Sequence, residues 1–129
     1  MNRFTTLGLV MVAGAALGAA AIQGLHAQAK PPVYAVVDIS EITDPEGWKV
    51  VTQRPTASTE TVKQGGRYIT RTDKITALDG TAPKRFVVIA FDSLEKAQSW
   101  NDSPGQKEIN AIRVKTTKSR SFIVEGMSN

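Results

Sequence analysis

VYAVVDISEI, residues 33 to 42, sets Asp38 in the middle of an otherwise apolar strand. Burial there would disfavour the charged form and make Asp38 a candidate proton acceptor. The plainer reading is that Asp38 faces water at a strand edge or pairs with a nearby arginine. Arg85 opens the apolar stretch RFVVIAF, and Arg71 lies on the segment before it. Two guanidinium groups so placed could hold a carboxylate or an enolate by charge-assisted hydrogen bonds. The competing reading pairs them across strands or subunits with Asp38, Asp73 or Glu125. Tyr34 and Tyr68 each stand on a predicted strand, where a hydroxyl can orient a polar ligand or simply be the wet tip of a core ring. Arg113 falls near the end of a predicted helix and is read as satisfying that helix's last carbonyls.

What the sequence lacks narrows the chemistry further. There is no cysteine, and the one histidine is His26. A chain without either beyond residue 26 has no ordinary zinc site, no Cys or His nucleophile–base pair and no His-ligated haem, so no cofactor or metal is expected. His26 itself falls in a leader. Arg3 is followed by the uncharged run LGLVMVAGAALGAAAI, which closes on AQA at residues 27 to 29. A basic start, an apolar middle and a small-x-small end predict a secretory signal peptide over 1–29, cleaved after Ala29. A retained membrane anchor is the alternative, since the run is long enough to span a bilayer. The expected location is periplasmic or secreted, with no stable membrane association after cleavage. Removing Arg3 takes the 16 basic residues to 15, against 12 acidic ones. These charges are dispersed, and no aromatic-basic stripe accompanies them, so nucleic acid is not an expected partner.

WNDSPGQKE, residues 100 to 108, gathers an indole, amides, carboxylates and an ammonium around Pro-Gly. It is better read as one helix ending and another beginning. Leu94, Ala97 and Trp100 make a stripe at helical spacing, behind an N-terminus predicted at Asp92 with Glu95 three residues on. Ser103, Pro104 and Gln106 have the types of an N-cap, a first helical residue and a capping-box partner. Ile109 and Ile112 follow as that helix's buried face. Upstream, Asp44-Pro45 opens a helix whose buried face is predicted as Trp48, Val51, Pro55, Thr59 and Val62. Pro55 should kink or split it, and Gly65-Gly66 should stop it. Residues 67–80 read as a strand bending near Asp73-Lys74, with Tyr68, Thr70 and Thr72 on one side and Arg67, Ile69 and Arg71 on the other. Residues 84–91 read as the central strand and 119–126 as the last.

One domain over residues 30–129 is therefore predicted, with the order β-α-β-β-α-β. That order gives an α+β, ferredoxin-like arrangement: a four-stranded antiparallel sheet with both helical segments on one face. The third strand is apolar on both sides, Phe86, Val88 and Ala90 on one and Val87, Ile89 and Phe91 on the other. Its uncovered side favours face-to-face packing with a second copy. The first partner expected is therefore the chain itself, as a homodimer, and the second a small-molecule ligand.

GGRYITRTDKITALDG, followed by PKRFVVIAFDSLEKAQSWNDSPG and INAIR, resembles the bacterial domain of unknown function 1330 family. The resemblance runs from Val33 to Gly126. Its most specific parts are Gly65-Gly66, Arg85 with the strand leading to Phe91-Asp92-Ser93-Leu94, and Trp100 with Ser103-Pro104. It implies membership of the dimeric α+β barrel superfamily, and no established activity. The chain departs from the family at Ala90, where an acidic residue is usual, and at Gln106, where an aromatic is usual. Two functions are open at this point. One is a binding role, with a small apolar or aromatic molecule held in a cavity between the paired sheets. The other is a cofactor-independent oxygenase or isomerase, with Asp38 as base and Arg85 and Arg71 as anion stabilisers. Convergence of those three residues on one pocket, beside Tyr34 or Tyr68, would favour chemistry.

Overall fold

A computed structural model describes residues 30–128. The predicted leader lies outside the described residues. The elements are β1 (Val33–Ile42), α1 (Pro45–Thr52), α2 (Pro55–Lys63), β2 (Arg67–Thr72), β3 (Arg85–Phe91), α3 (Leu94–Asp102), α4 (Pro104–Thr116) and β4 (Thr117–Glu125). The strands form one antiparallel sheet in the order β2-β3-β1-β4. This is the ferredoxin-like order expected from the sequence, with each helical segment split in two by a proline.

Strand alternation assigns the two faces. Val33, Ala35, Ile89 and Phe91 cluster with Ala97 and Trp100 of α3, while Val37 and Ile39 cluster with Trp48 of α1. Odd-numbered residues of β1 and β3 therefore face the helices. Tyr34, Val36, Asp38, Phe86, Val88 and Ala90 stand on the other face, beside Phe122 and Val124 of β4. Phe122 and Val124 are each 40% exposed.

A bulge in β2 changes which of its residues share a face. Tyr68 pairs with Ile89 and Arg71 with Val87, although they are three positions apart. The register shifts between Tyr68 and Thr70, and the extra residue Ile69 is exposed. An uninterrupted strand would have set Tyr68 and Arg71 on opposite sides, as the sequence pattern predicted. The bulge brings both to the helix face.

Helix ends follow local chemistry, with two departures. The Asp44 side chain accepts from the Gly47 amide at 3.1 Å, as an N-cap should. The α3 cap is Ser93, not Asp92: its Oγ accepts from the Lys96 amide at 3.2 Å. Asp92 instead reaches Arg67 and Lys96. With the start moved by one residue, Leu94 turns outward and is 47% exposed. Ser103 occupies the N-cap position of α4, but its hydroxyl donates back to the Trp100 carbonyl at 2.6 Å. Gln106 bonds Asn110 rather than closing a capping box.

The end of α2 fixes the packing between helix and sheet. Gly65 has φ +90°, its amide donates to the Val62 carbonyl, and the Gly66 amide donates to the Thr61 carbonyl at 2.9 Å. These are the two bonds of a Schellman motif, which needs a residue at ease with positive φ. The motif turns Thr61 inward, where it is fully buried, and leaves Val62 61% exposed, reversing the predicted stripe. Gly66 itself sits where a Cβ would lie 2.8 Å from Thr61 Cγ2, 2.9 Å from Ile89 Cγ2 and 3.0 Å from Phe91 Cζ. Gly66→Ala is therefore expected to cost roughly 1–3 kcal/mol through overpacking. Urea denaturation would check this, and an unchanged midpoint would contradict it.

Candidate functional site

The two apolar clusters do not meet across the whole helix face. Val87 touches both, and above it the helices leave a cavity of about 510 Å³. Ligand pockets of small molecules fall in this size range. Val37, Ile39, Val87 and Ile89 form its floor on β1 and β3. Trp48 and Val51 of α1, Thr61 of α2, Trp100 of α3, and Gln106 and Ile109 of α4 form its walls.

At one end the wall is held by a single hydroxyl. Thr61 Oγ1 accepts from the Tyr68 hydroxyl at 3.2 Å and from the Trp100 indole N–H at 3.1 Å. Trp100 in turn packs its ring on Phe91, with centroids 5.3 Å apart. Three elements that need not touch in sequence, α2, β2 and α3, are thus tied at one buried point.

The remaining polar lining is mostly cationic. Arg54, Arg71, Arg85 and Arg113 all line the cavity, and among the described residues no carboxylate does. Arg54 is neutralised at the rim by Glu108, at 2.8 Å. That hydrogen bond, and secondarily the opposite charge, raises Arg54 and holds Glu108 below the usual carboxylate range. Arg71 donates to Ser58 Oγ at 2.6 Å and lies 4.5 Å over the Tyr68 ring. Arg113 is 8% exposed and donates Nη1–H to Ser119 Oγ at 2.7 Å; burial lowers its pKa. Arg85 is half-buried and has no hydrogen-bond or ion-pair partner among the described residues.

The expected site residues divide between the two sides of the sheet. Tyr68, Arg71 and Arg85 come together at the cavity. Asp38 and Tyr34 do not: β1 alternation turns both to the open face. There Asp38 meets Arg120 Nε at 3.2 Å, so the plainer reading of that carboxylate holds. Asp38 and the two arginines therefore do not converge on one pocket within a subunit. The cavity of the single chain also lies on the helix side of the sheet, not on the open face from which an inter-sheet cavity would be built.

Trp48 and Trp100 are core residues, as their stripes predict, and also line the cavity, while Thr61 takes the inward position expected of Val62. Arg113 was given to helix carbonyls, and its neighbour Thr117 in fact takes that role, donating to the Arg113 carbonyl at 2.6 Å. The spacing Gln106, Ile109, Arg113 is itself a helical stripe, and following it one step past Ile109 would have placed Arg113 inside. Gln106, one of the two departures from the family pattern, lines the cavity; Ala90, the other, stands on the open face opposite Tyr34. Among the described residues no group of His, Cys, Asp and Glu is placed to hold a metal ion.

Known proteins share this fold. The model of the family described as "Domain of unknown function (DUF1330)" matches residues 32–127. Among curated proteins none matches. A protein of unknown function from Rhodopseudomonas palustris is similar in structure, with a TM-score of 0.57 at 11% identity over 84% of this chain and 93% of that one. SnoaB, a cofactor-independent oxygenase from Streptomyces nogalater, gives 0.53 at 11% identity over 77% and 96%. A dimeric protein of unknown function and ferredoxin-like fold from Bacteroides fragilis gives 0.50 at 16% identity over 73% and 95%. Identities this low carry the fold and nothing about ligands.

Thr61→Val keeps the side chain's shape and removes the acceptor of the buried Trp100 indole N–H and of the half-buried Tyr68 hydroxyl. Orphaning the buried indole donor costs roughly 1–3 kcal/mol. Thermal and urea unfolding should therefore show a clear loss for Thr61→Val and a much smaller one for Thr61→Ser. Equal stability of the two variants would contradict the hydroxyl's role.

Proposed function

We propose, from the premise that the chain belongs to the DUF1330 family, that it is an exported homodimeric domain whose helix-side pocket binds a small, largely apolar or aromatic molecule. The pocket carries this reading. A cavity of about 510 Å³ splits the core of a domain of this size, with two indoles and a tyrosine in its walls. Its volume and its mix of apolar walls with a few polar groups are those of a small-molecule site. The tie at Thr61 supports a preformed wall.

The open sheet face supports the dimer. Phe122 and Val124 lie exposed beside Val36, Phe86 and Val88, an apolar surface of a kind that monomers seldom leave bare. The Bacteroides fragilis protein of similar fold is itself dimeric. Export rests on the leader pattern of residues 1–29.

The alternative is a cofactor-independent oxygenase or isomerase, the activity borne by SnoaB on a similar fold. It keeps Arg71 and Arg85 at the pocket and leaves its intended base, Asp38, on the far side of the sheet. Fold likeness alone does not supply the missing group, and we favour binding.

Native mass spectrometry on protein purified from its own periplasm tests the whole reading. The expected species is a dimer of chains beginning at Lys30, each retaining a small molecule. A compact monomer at micromolar concentration would contradict the dimer, and chains still carrying residues 1–29 would contradict cleavage. Val87→Trp fills the cavity from its floor and should yield a folded dimer without the retained mass. Undiminished retention in that variant would place the ligand elsewhere.

A further inference from the structure

We infer that the pocket is built for an organic anion, with an apolar, ring-sized body over Val87 and a carboxylate-type head between Arg85 and Arg113. The inference rests on the helix-side pocket being the binding site and adds the ligand's charge and its direction of entry.

The first support is the charge balance. Arg54 has Glu108, but Arg71, Arg85 and Arg113 face the cavity with no carboxylate in reach among the described residues. Arg71 and Arg113 are met only by neutral serine hydroxyls and, for Arg71, a ring face. Arg85 has no side-chain hydrogen bond or ion pair among the described residues. Arg71 is exposed, but Arg85 is half-buried and Arg113 buried; sheltered cations without counter-ions are costly, and an anion entering the same space offsets that cost while forming charge-assisted hydrogen bonds. A guanidinium has five N–H donors, and Arg113 uses one on Ser119. No fully buried side-chain nitrogen or oxygen lacks a partner among the described residues, so the unused donors of Arg113 are not sealed in protein.

The second support is position. Arg85, Ile39 and Ser119 are register partners in one row across β3, β1 and β4. Adjacent strands are about 4.8 Å apart, so Arg85 and the Ser119 that anchors Arg113 flank Ile39 at the two ends of a row about 10 Å wide. Ile39 itself is covered by Trp48, and Arg85 and Arg113 border the cavity from the two sides of that covered position. Arg71 stands one row away, opposite Val87. At the far end of the cavity Tyr68 pairs with Ile89, and Trp100 and Thr61 close the wall. Their polar atoms are already bonded to each other, and Arg71 covers one face of the Tyr68 ring, so the ligand's body lies over Val87 between Trp48 and Trp100.

A matched pair of probes, 2-naphthoate and its methyl ester, separates charge from shape. Binding is read by quenching of Trp48 and Trp100 fluorescence, at neutral pH and at low and high salt. The protein should bind the carboxylate at least about tenfold more tightly than the ester, the step expected of a charge-assisted bond. Arg85→Gln should remove most of that preference, and Arg71→Gln part of it. Arg85 holds no protein group, so its replacement orphans nothing. Lys107→Gln, an equal loss of charge on the exposed side of α4, should leave the preference intact. Equal affinities for acid and ester would overturn the anion inference and leave the pocket reading standing. A preference that survives Arg85→Gln, or is lost equally in Lys107→Gln, would also overturn it. Saturable quenching by neither probe would overturn the pocket reading, and the inference with it.

Discussion

Two hydrogen bonds into Thr61 Oγ1 tie α2 to the edge strand β2 and to α3 at one buried point. Everything on the helix face follows from where that point sits. The Schellman turn at Gly65-Gly66 brings Thr61 inward, and Gly66 lets α2 approach Ile89 and Phe91 closely. The helical layer is thereby fixed tightly at the Phe91–Trp100 end. At the other end Trp48 covers Val37 and Ile39. Between the two anchors the layer spans Val87 without descending onto it. The cavity is the space between these two packed ends.

The sheet separates two kinds of chemistry. Its open face carries apolar side chains and the Asp38–Arg120 pair, a surface suited to a second sheet. Its helix face carries the cavity and three arginines without carboxylates. One carboxylate and two arginines that look like parts of a catalytic set in sequence are divided by the thickness of the sheet. The division turns an acid–base proposal into a binding one. It leaves the carboxylate on one side of the sheet and the arginines at the cavity on the other.

Much of the fold was legible because periodicity and punctuation agreed. The apolar run ending at Phe91, the Asp-Pro and Ser-Pro helix starts and the Gly-Gly stop all point to the observed order. The site was less legible, for three local reasons. A bulge at Ile69 inverts the face of Arg71, and no alternation pattern reveals an extra residue of ordinary type. The reversal of Thr61 and Val62 depends on how α2 ends rather than on hydrophobicity. Arg113 occupies a core position of its stripe, where a charged residue is not expected. Two of those positions, Arg71 and Arg113, now carry the charge of the pocket.

The central claim is that ligand binds between the helices and the sheet of each subunit. A crystal structure of the dimer grown with an aromatic carboxylate tests it most directly. The account predicts one molecule per subunit, its ring over Val87 beside Trp100 and its carboxylate within hydrogen-bond distance of Arg85 and Arg113. Density lying between the two open sheet faces, near Asp38 and Phe122, would contradict it.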